Sequence, residues 1–286
     1  MQLHIHHHTR YRYHTPVVLA QHMAYLQPCS SVRQSVCSHT LTIAPAPTLR
    51  DQSSDTFGNQ RTFFALQSPH SELSVTAHSL VDTQPVSPLP DSPAWETVRD
   101  SLQYHVQAPY QAASEFVFVS PYVPRAEAFI DFAASAFTSD RPLLEACEAL
   151  MCKIHEELSY ETASTEVHTP ALEALAQGKG VCQDFAHILV ACLRSLGLPA
   201  RYVSGYLRTI PPPGKERLVG ADASHAWFAA YCPQHGWLDF DPTNDIEPSE
   251  RHVTLGWGRD FSDVSPIRGV LVGSGEHTLR VSVDVE

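Results

Sequence analysis

Basic residues are scarce in this 286-residue chain: 19 Lys and Arg stand against 31 Asp and Glu, for a formal charge of −12. Binding a phosphate backbone needs clustered cations, so nucleic acid is excluded as the main partner. No stretch approaches the ~18 uninterrupted apolar residues of a membrane-spanning helix. The opening MQLHIHHHTRYRYHTPV has no apolar run of signal-peptide length either. A cytoplasmic protein with no membrane partner is the expectation. The seven cysteines, at 29, 37, 147, 152, 182, 192 and 232, are odd in number and contain no CxxC pair. That argues against a zinc ribbon and against a regular disulfide framework. Internal repeats are absent. What is left, 43% apolar and 17% charged residues, is ordinary globular composition, long enough for one large domain or two smaller ones.

Residues 1–85 carry no helical periodicity. In LHIHHHTRYRY, Leu3, Ile5, Thr9, Tyr11 and Tyr13 alternate with His4, His6, His8, Arg10 and Arg12, the period of a strand. SVCSHTLTIAP, NQRTFFALQSP and SELSVTAHSLVD continue the pattern between turn-rich pieces. An antiparallel β-sandwich is expected over 1–85, ending at the proline-rich TQPVSPLPDSP. Residues 86–286 form the second expected domain. Ser92-Pro93 reads as the start of a helix carrying Trp95, Val98 and Leu102. A second helix aligns Phe129, Ile130, Ala133 and Phe137, and a third aligns Leu143, Leu144, Cys147, Leu150, Ile154 and Leu158. A short helix follows with Thr169 as N-cap and Gly178 as its stop. The next begins after Gly180. Three strand-like runs come after it, ARYVSGYL, SHAWFAAYC and GWLDFD, and the tail IRGVLVGSGEHTLRVSVDV offers two more.

Chemistry concentrates around GKGVCQDFAH, where Cys182 opens a helix directly behind a Gly-Lys-Gly turn. Unpaired N–H groups and the dipole at a helix N-terminus favour a thiolate there. A cysteine nucleophile needs a base, usually histidine, and that histidine needs an acceptor to orient it. His225 opens one strand-like run and Asp241 closes the next, with the short loop PQHG between them. A hairpin would make them neighbours across 16 residues of sequence. Asp239 is the competing acid, two residues further along the strand.

GKGVCQDFAHILVACLRSLGLPARYVSGYL, then SHAWFAAY, then GWLDFDPTND resemble the three signature blocks of the transglutaminase-like superfamily of cysteine enzymes. YRYHTPV and DTFGNQ resemble the bacterial subgroup with an additional N-terminal β domain, so the resemblance spans nearly the whole chain. It implies an α+β fold with a papain-like, transglutaminase-like core. It also implies Cys182 as nucleophile, His225 as base, Asp241 as orienting acid, and no metal or cofactor. The implied reaction is acyl transfer or hydrolysis at a peptide or glutamine-type carboxamide bond through a thioester. Protease or amidase chemistry is preferred over cross-linking, and a protein or peptide is the expected substrate. The alternative is a non-catalytic protein-binding module on the same fold.

The remaining candidates are weighed by position. Gln183 and Tyr160 are read as possible oxyanion donors beside the Cys182 N–H, and Trp227 as cleft wall. Asp184 is read as a first-turn cap, His187 as structural, and His4, His6 and His8 as a solvated strand face rather than a metal site. The loop PPPGKER is read as a mobile connection, with gating of the cleft as the alternative.

Overall fold

The computed structural model describes residues 1–286 except 104, 105, 107, 108, 163, 164, 166, 167, 210–223 and 274. The PPPGKER loop lies outside the described residues. Six strands fill the first part of the chain: β1 (Gln2–Val17), β2 (Leu19–Ala24), β3 (Gln34–Ala44), β4 (Leu49–Ser54), β5 (Gln60–Leu66) and β6 (His70–Thr83). Then come α1 (Trp95–Ser101), a 3₁₀ turn (Ala112–Val117), α2 (Glu127–Ala133), α3 (Leu143–Glu157), β7 (Ser159–Tyr160), α4 (Ala171–Gln177), β8 (Lys179–Gly180) and α5 (Cys182–Ser195). The chain ends with β9 (Ala200–Leu207), β10 (Ser224–Cys232), β11 (Gly236–Phe240), β12 (His252–Gly258), α6 (Phe261–Val264), β13 (Ile267–Val272) and β14 (His277–Val285).

The expected sandwich is present as two four-stranded sheets, β14-β1-β6-β3 and β13-β2-β5-β4. Alternation along the strands sends Tyr13, Val17, Leu41, Ile43, Leu73 and Val75 inward, where they meet Ala20, Phe64 and Leu66 of the facing sheet. The sheets do not follow the expected division at residue 85. β14 pairs antiparallel with β1, and β13 with β2, so the last strands complete the sandwich begun by the first. Alternation in a sequence identifies a strand but not its partner, which is why the tail reads as part of the second domain.

The second unit packs helices on a four-stranded antiparallel sheet, β11-β10-β9-β12. Helix α5 lies against β9, β10, α2 and α4. Every residue from Asp184 to Arg194 is therefore buried, not only the predicted stripe. Each fully buried Leu, Ile or Phe along it contributes roughly 1.5–3 kcal/mol. Even Arg194 is 0% exposed. Its guanidinium donates to the carbonyls of Ala200, Phe118 and Arg259. Burial pulls it down to about 10 despite nearby Asp260.

Three local readings change. Ser92 does not cap α1, whose N-cap is Ala94; its Oγ accepts from the Leu144 N–H at 3.0 Å, at the start of α3. Pro170, not Thr169, is the N-cap of α4, while Gly178 ends that helix at φ 66° as expected. Ile130 is 40% exposed, so the apolar face of α2 is Phe129 and Ala133.

An apolar seam joins the two units: Leu3, Ile5, Val81, Val283 and Val285 of the sandwich meet Tyr206, Val253 and Leu255 of the central sheet. Polar clamps flank it. Gln34 donates to the Thr254 carbonyl (2.7 Å) and accepts from the Thr254 N–H (2.8 Å). Asn59 does the same to Trp257, at 2.7 and 2.9 Å. Asn59 belongs to the DTFGNQ turn, where Asp55 accepts from the N–H groups of Phe57 and Asn59 and from the Asn59 amide.

Candidate active site

Cys182 is the first residue of α5, with Val181 as N-cap. The Asp184 carboxylate accepts from the Val181 N–H at 2.8 Å and from Thr165 Oγ1 at 2.6 Å. Asp184 is thus a first-turn cap, as read from its position. Burial raises its carboxyl pKa against the pull of those hydrogen bonds. Gly180 is required by this arrangement: a Cβ there would lie 2.7 Å from the Asp184 Cβ and 2.8 Å from its Oδ2.

Hairpin pairing of β10 with β11 sets the other side. Phe228 faces Phe240 across the ladder and Ala229 faces Asp239. Asp241 leaves the ladder one residue after Phe240 and meets His225, whose Nε2 lies 2.8 Å from Asp241 Oδ2. The Cys182 sulfur lies near enough to the imidazole to raise its proton affinity as well. Burial alone would neutralise the imidazole. The hydrogen bond to Asp241 and the nearby Cys182 sulfur overcome it and lift His225 to about 10. Asp241 is 0% exposed. Burial works against its charge, yet hydrogen bonds from His225, His252 and Asn244 hold the carboxyl well below the usual range. His225 and Asp241 thereby form a bonded imidazole–carboxylate pair at one end of the central sheet, with the Cys182 sulfur nearby.

Asp239 goes elsewhere. It faces Arg33 of the sandwich at 3.6 Å, and burial raises its carboxyl pKa in spite of Arg201 and Arg33. Of the two acids weighed from sequence, the structure puts Asp241 on His225.

His252 is the member that sequence reasoning missed. Its Nδ1 accepts the Ser249 N–H at 3.0 Å, so the proton sits on Nε2, which donates to Asp241 Oδ2 at 3.1 Å. Asn244 Nδ2 donates to the same oxygen at 2.7 Å, and the Thr243 N–H to Oδ1 at 3.1 Å. Burial lowers the His252 pKa and keeps it neutral beside the carboxylate. Asn244 was in view within the block GWLDFDPTND. His252 arrives on β12, a strand not joined to that hairpin, and no spacing rule points to it.

The three substrate-contact candidates separate. Trp227 is 0% exposed, with its ring 5.4 Å from His252 and 6.0 Å from His225. It supports the histidines from beneath and cannot be cleft wall, which corrects that expectation. Gly205, opposite His225 on β9, has no room for a Cβ, which would sit 2.4 Å from the Trp227 ring. Tyr160 is 50% exposed, packs edge-on against Phe185, and is close enough to Cys182 for the thiol to add to the effect of burial in raising its hydroxyl pKa. Gln183 follows Cys182 on the first turn of α5.

The other cysteines differ in kind. All seven are free thiols, and burial pushes Cys147 and Cys192 far up and Cys29 to about 12. His187 is structural, as expected: it is fully buried, with Nε2 accepting the Phe261 N–H at 3.1 Å. Among the described helices none is long and apolar enough to cross a membrane.

Comparison with known proteins places the chain in a family. A profile described as the bacterial transglutaminase-like N-terminal region matches residues 3–82, and one described as the transglutaminase-like superfamily matches residues 130–242. An uncharacterised protein of Mycobacterium tuberculosis is 40% identical over 289 residues, covering 98% of this chain and 90% of the relative. A protein-glutamine gamma-glutamyltransferase of Pseudomonas aeruginosa is 30% identical over 133 residues, which are 44% of this chain and 19% of that protein. A crystal structure from Cytophaga hutchinsonii, designated a candidate cysteine protease, superposes with a TM-score of 0.77 at 22% identity, over 100% of this chain and 90% of that one. That likeness concerns the fold.

Proposed function

Because this chain belongs to the transglutaminase-like superfamily, we propose that it performs cysteine-dependent acyl transfer or hydrolysis at peptide or glutamine-type carboxamide bonds. The observation that carries the proposal is the His225–Asp241 pair beside Cys182, with the imidazole lifted to about 10 so that its proton is held at neutral pH. The Cys182 sulfur attacks the carbonyl carbon as a thiolate. The developing oxyanion takes the Cys182 backbone N–H, one of the unpaired donors of the α5 N-terminus. Gln183, next to Cys182 on α5, and Tyr160, near the thiol, are our candidates for a second donor. His225 gives its proton to the departing amine or ammonia, and the acyl group remains on sulfur as a thioester. Water or an amine, activated by the now neutral His225, resolves it and restores the thiolate and imidazolium. The alignment with the Pseudomonas aeruginosa gamma-glutamyltransferase supports carboxamide chemistry, and a protein or peptide is the matching substrate class.

Intact-mass spectrometry on a panel of blocked glutaminyl peptides and internal peptide bonds, with and without an added amine, tests this. A thioester adduct on the wild type that is absent in Cys182→Ala is the expected result, and the amine dependence of its decay distinguishes transfer from hydrolysis. No adduct across the panel, with Cys182 alkylation titrating near ~8.5 like an ordinary thiol, would favour the protein-binding module instead.

A further inference from the structure

The His4, His6, His8 series reads from sequence as a solvated strand face, with no carboxylate or cysteine nearby in sequence. The topology removes that objection. His6 pairs across β6 with His78 and across β14 with Asp284, so residues from three distant parts of the chain form one row on the same outward face. The two pairings differ in kind. His4 and Glu286 exchange both backbone hydrogen bonds, which makes positions 4, 6 and 8 of β1 hydrogen-bonded pairs toward β14. Toward β6 the same residues are then non-hydrogen-bonded pairs, the positions where opposing side chains approach most closely. The His6 and His78 rings accordingly sit 4.5 Å apart between centroids, and His8, two residues along the strand, stacks 6.5 Å from His6.

We propose that this face holds a divalent transition-metal site, with His6, His8 and His78 as imidazole ligands and Asp284 as the carboxylate. Three imidazoles and one carboxylate are the donor set of zinc-class ions; calcium and magnesium prefer all-oxygen shells. Thr76 Oγ1 lies 2.9 Å from His8 Nδ1, which orients that ring and leaves Nε2 for an ion. A cavity of about 380 Å³ opens over His6, His78 and Asp284. Among the described residues, the trio whose donor atoms already lie within 4.8 Å of one another is His225, Asp241 and His252, but those groups are buried and bonded to each other. The strand-face ligands close by rotation of side chains that are at least partly exposed. A bound ion would tie the last strand of the chain to the first, independently of the chemistry at Cys182.

The test is calorimetric titration of the full-length, tag-free protein with zinc chloride, alongside His6→Ala, His78→Ala, Asp284→Asn and the exposed α3 control His155→Ala. The expected wild-type dissociation constant is about 10 μM or tighter, weakened roughly tenfold or more by His6→Ala and by His78→Ala, and less by Asp284→Asn. His155→Ala should match the wild type. Zinc should also raise the melting temperature of the wild type and not that of the His6→Ala/His78→Ala double variant. Equal zinc affinity in the wild type and both histidine variants, a dissociation constant weaker than about 100 μM, or a zinc-induced melting shift that survives in the double variant would each overturn the proposal.

Discussion

Asp241→Asn is the substitution most directly tied to the geometry. Asp241 Oδ2 accepts from His225 at 2.8 Å, His252 at 3.1 Å and Asn244 at 2.7 Å, three donors on one oxygen. An asparagine cannot reproduce this. With its carbonyl toward the donors it lacks the charge that holds the imidazolium, and with its amide toward them it sets N–H against N–H. His225 at about 10 lies well above the ordinary 6.5, with Asp241 and Cys182 as the sources. At ~1.4 kcal/mol per tenfold in proton affinity, that is about 5 kcal/mol of preference for the charged ring, shared between the two partners. Losing roughly its Asp241 share, plus the fixed tautomer, predicts a fall of about 10³–10⁴ in kcat/KM. The direct assay is Cys182 alkylation against pH. The wild type should alkylate faster than Asp241→Asn near neutral pH, because an imidazolium held beside a sulfur favours the thiolate. Asp239→Asn should cost far less, since Asp239 faces Arg33 and Arg201. A rate loss under tenfold in Asp241→Asn, or a larger loss in Asp239→Asn, would refute the assignment of the acid.

The same reasoning reaches further residues. His252→Leu removes one charge-assisted donor to Asp241, worth about 1.5–3 kcal/mol, so turnover should fall roughly 10–100-fold; His252→Gln, which can still donate, should recover most of it, and equal losses in both would make His252 a packing residue only. Gly180→Ala places a Cβ 2.7 Å from that of Asp184; a loss of about 1–3 kcal/mol on chemical denaturation and slower Cys182 alkylation should follow, and a neutral result would mean the α5 entry turn relaxes freely. Burial holds His7, His22 and His39 down at about 4 each, so between pH ~6.5 and ~4 the unfolded chain binds more protons than the folded one and stability must fall as pH falls. His225 has the opposite sign: its contribution is complete below ~6.5 and is lost as pH rises toward about 10. Melting curves across pH 4–10 in Cys182→Ala, with His7→Gln as comparison, check the acid side; an unchanged acid slope in His7→Gln would remove that residue from the account.

Legibility in the sequence followed the range of the interaction. Period-two alternation identified β1, β3, β5 and β6, and hairpin register brought His225 to Asp241, because a hairpin register is a local rule. Asp241 over Asp239 came from that same rule. What failed was set by tertiary contact. Trp227 lies beside His225 on an aromatic strand, which gives no sign of whether the ring faces the cleft or the core; Gly205 opens the space that takes it inward. Ser92 has the composition of a local cap, yet its hydroxyl serves a helix 52 residues away. The α5 stripe was under-read because neighbours cover the helix on several sides, which erases amphipathic contrast.

The same distinction explains what the sandwich contributes. β12 is an edge strand of the central sheet and delivers His252 to Asp241. An exposed edge is a row of unpaired N–H and C=O groups, free to fray or to pair wrongly. Here Gln34 and Asn59 satisfy both backbone groups of Thr254 and of Trp257, in place of a further strand. Gly256, between those two residues, could not carry a side chain, because a Cβ would lie 2.6 Å from Asn59 Oδ1. The register of β12, and with it the position of the His252 ring, is therefore held by side chains from the N-terminal β region. No described side chain of that region bonds to Cys182, His225 or Asp241, yet it holds the strand whose histidine steadies the carboxylate. The sandwich in turn depends on β13 and β14, so both ends of the chain must be in place before the edge beside Asp241 is closed.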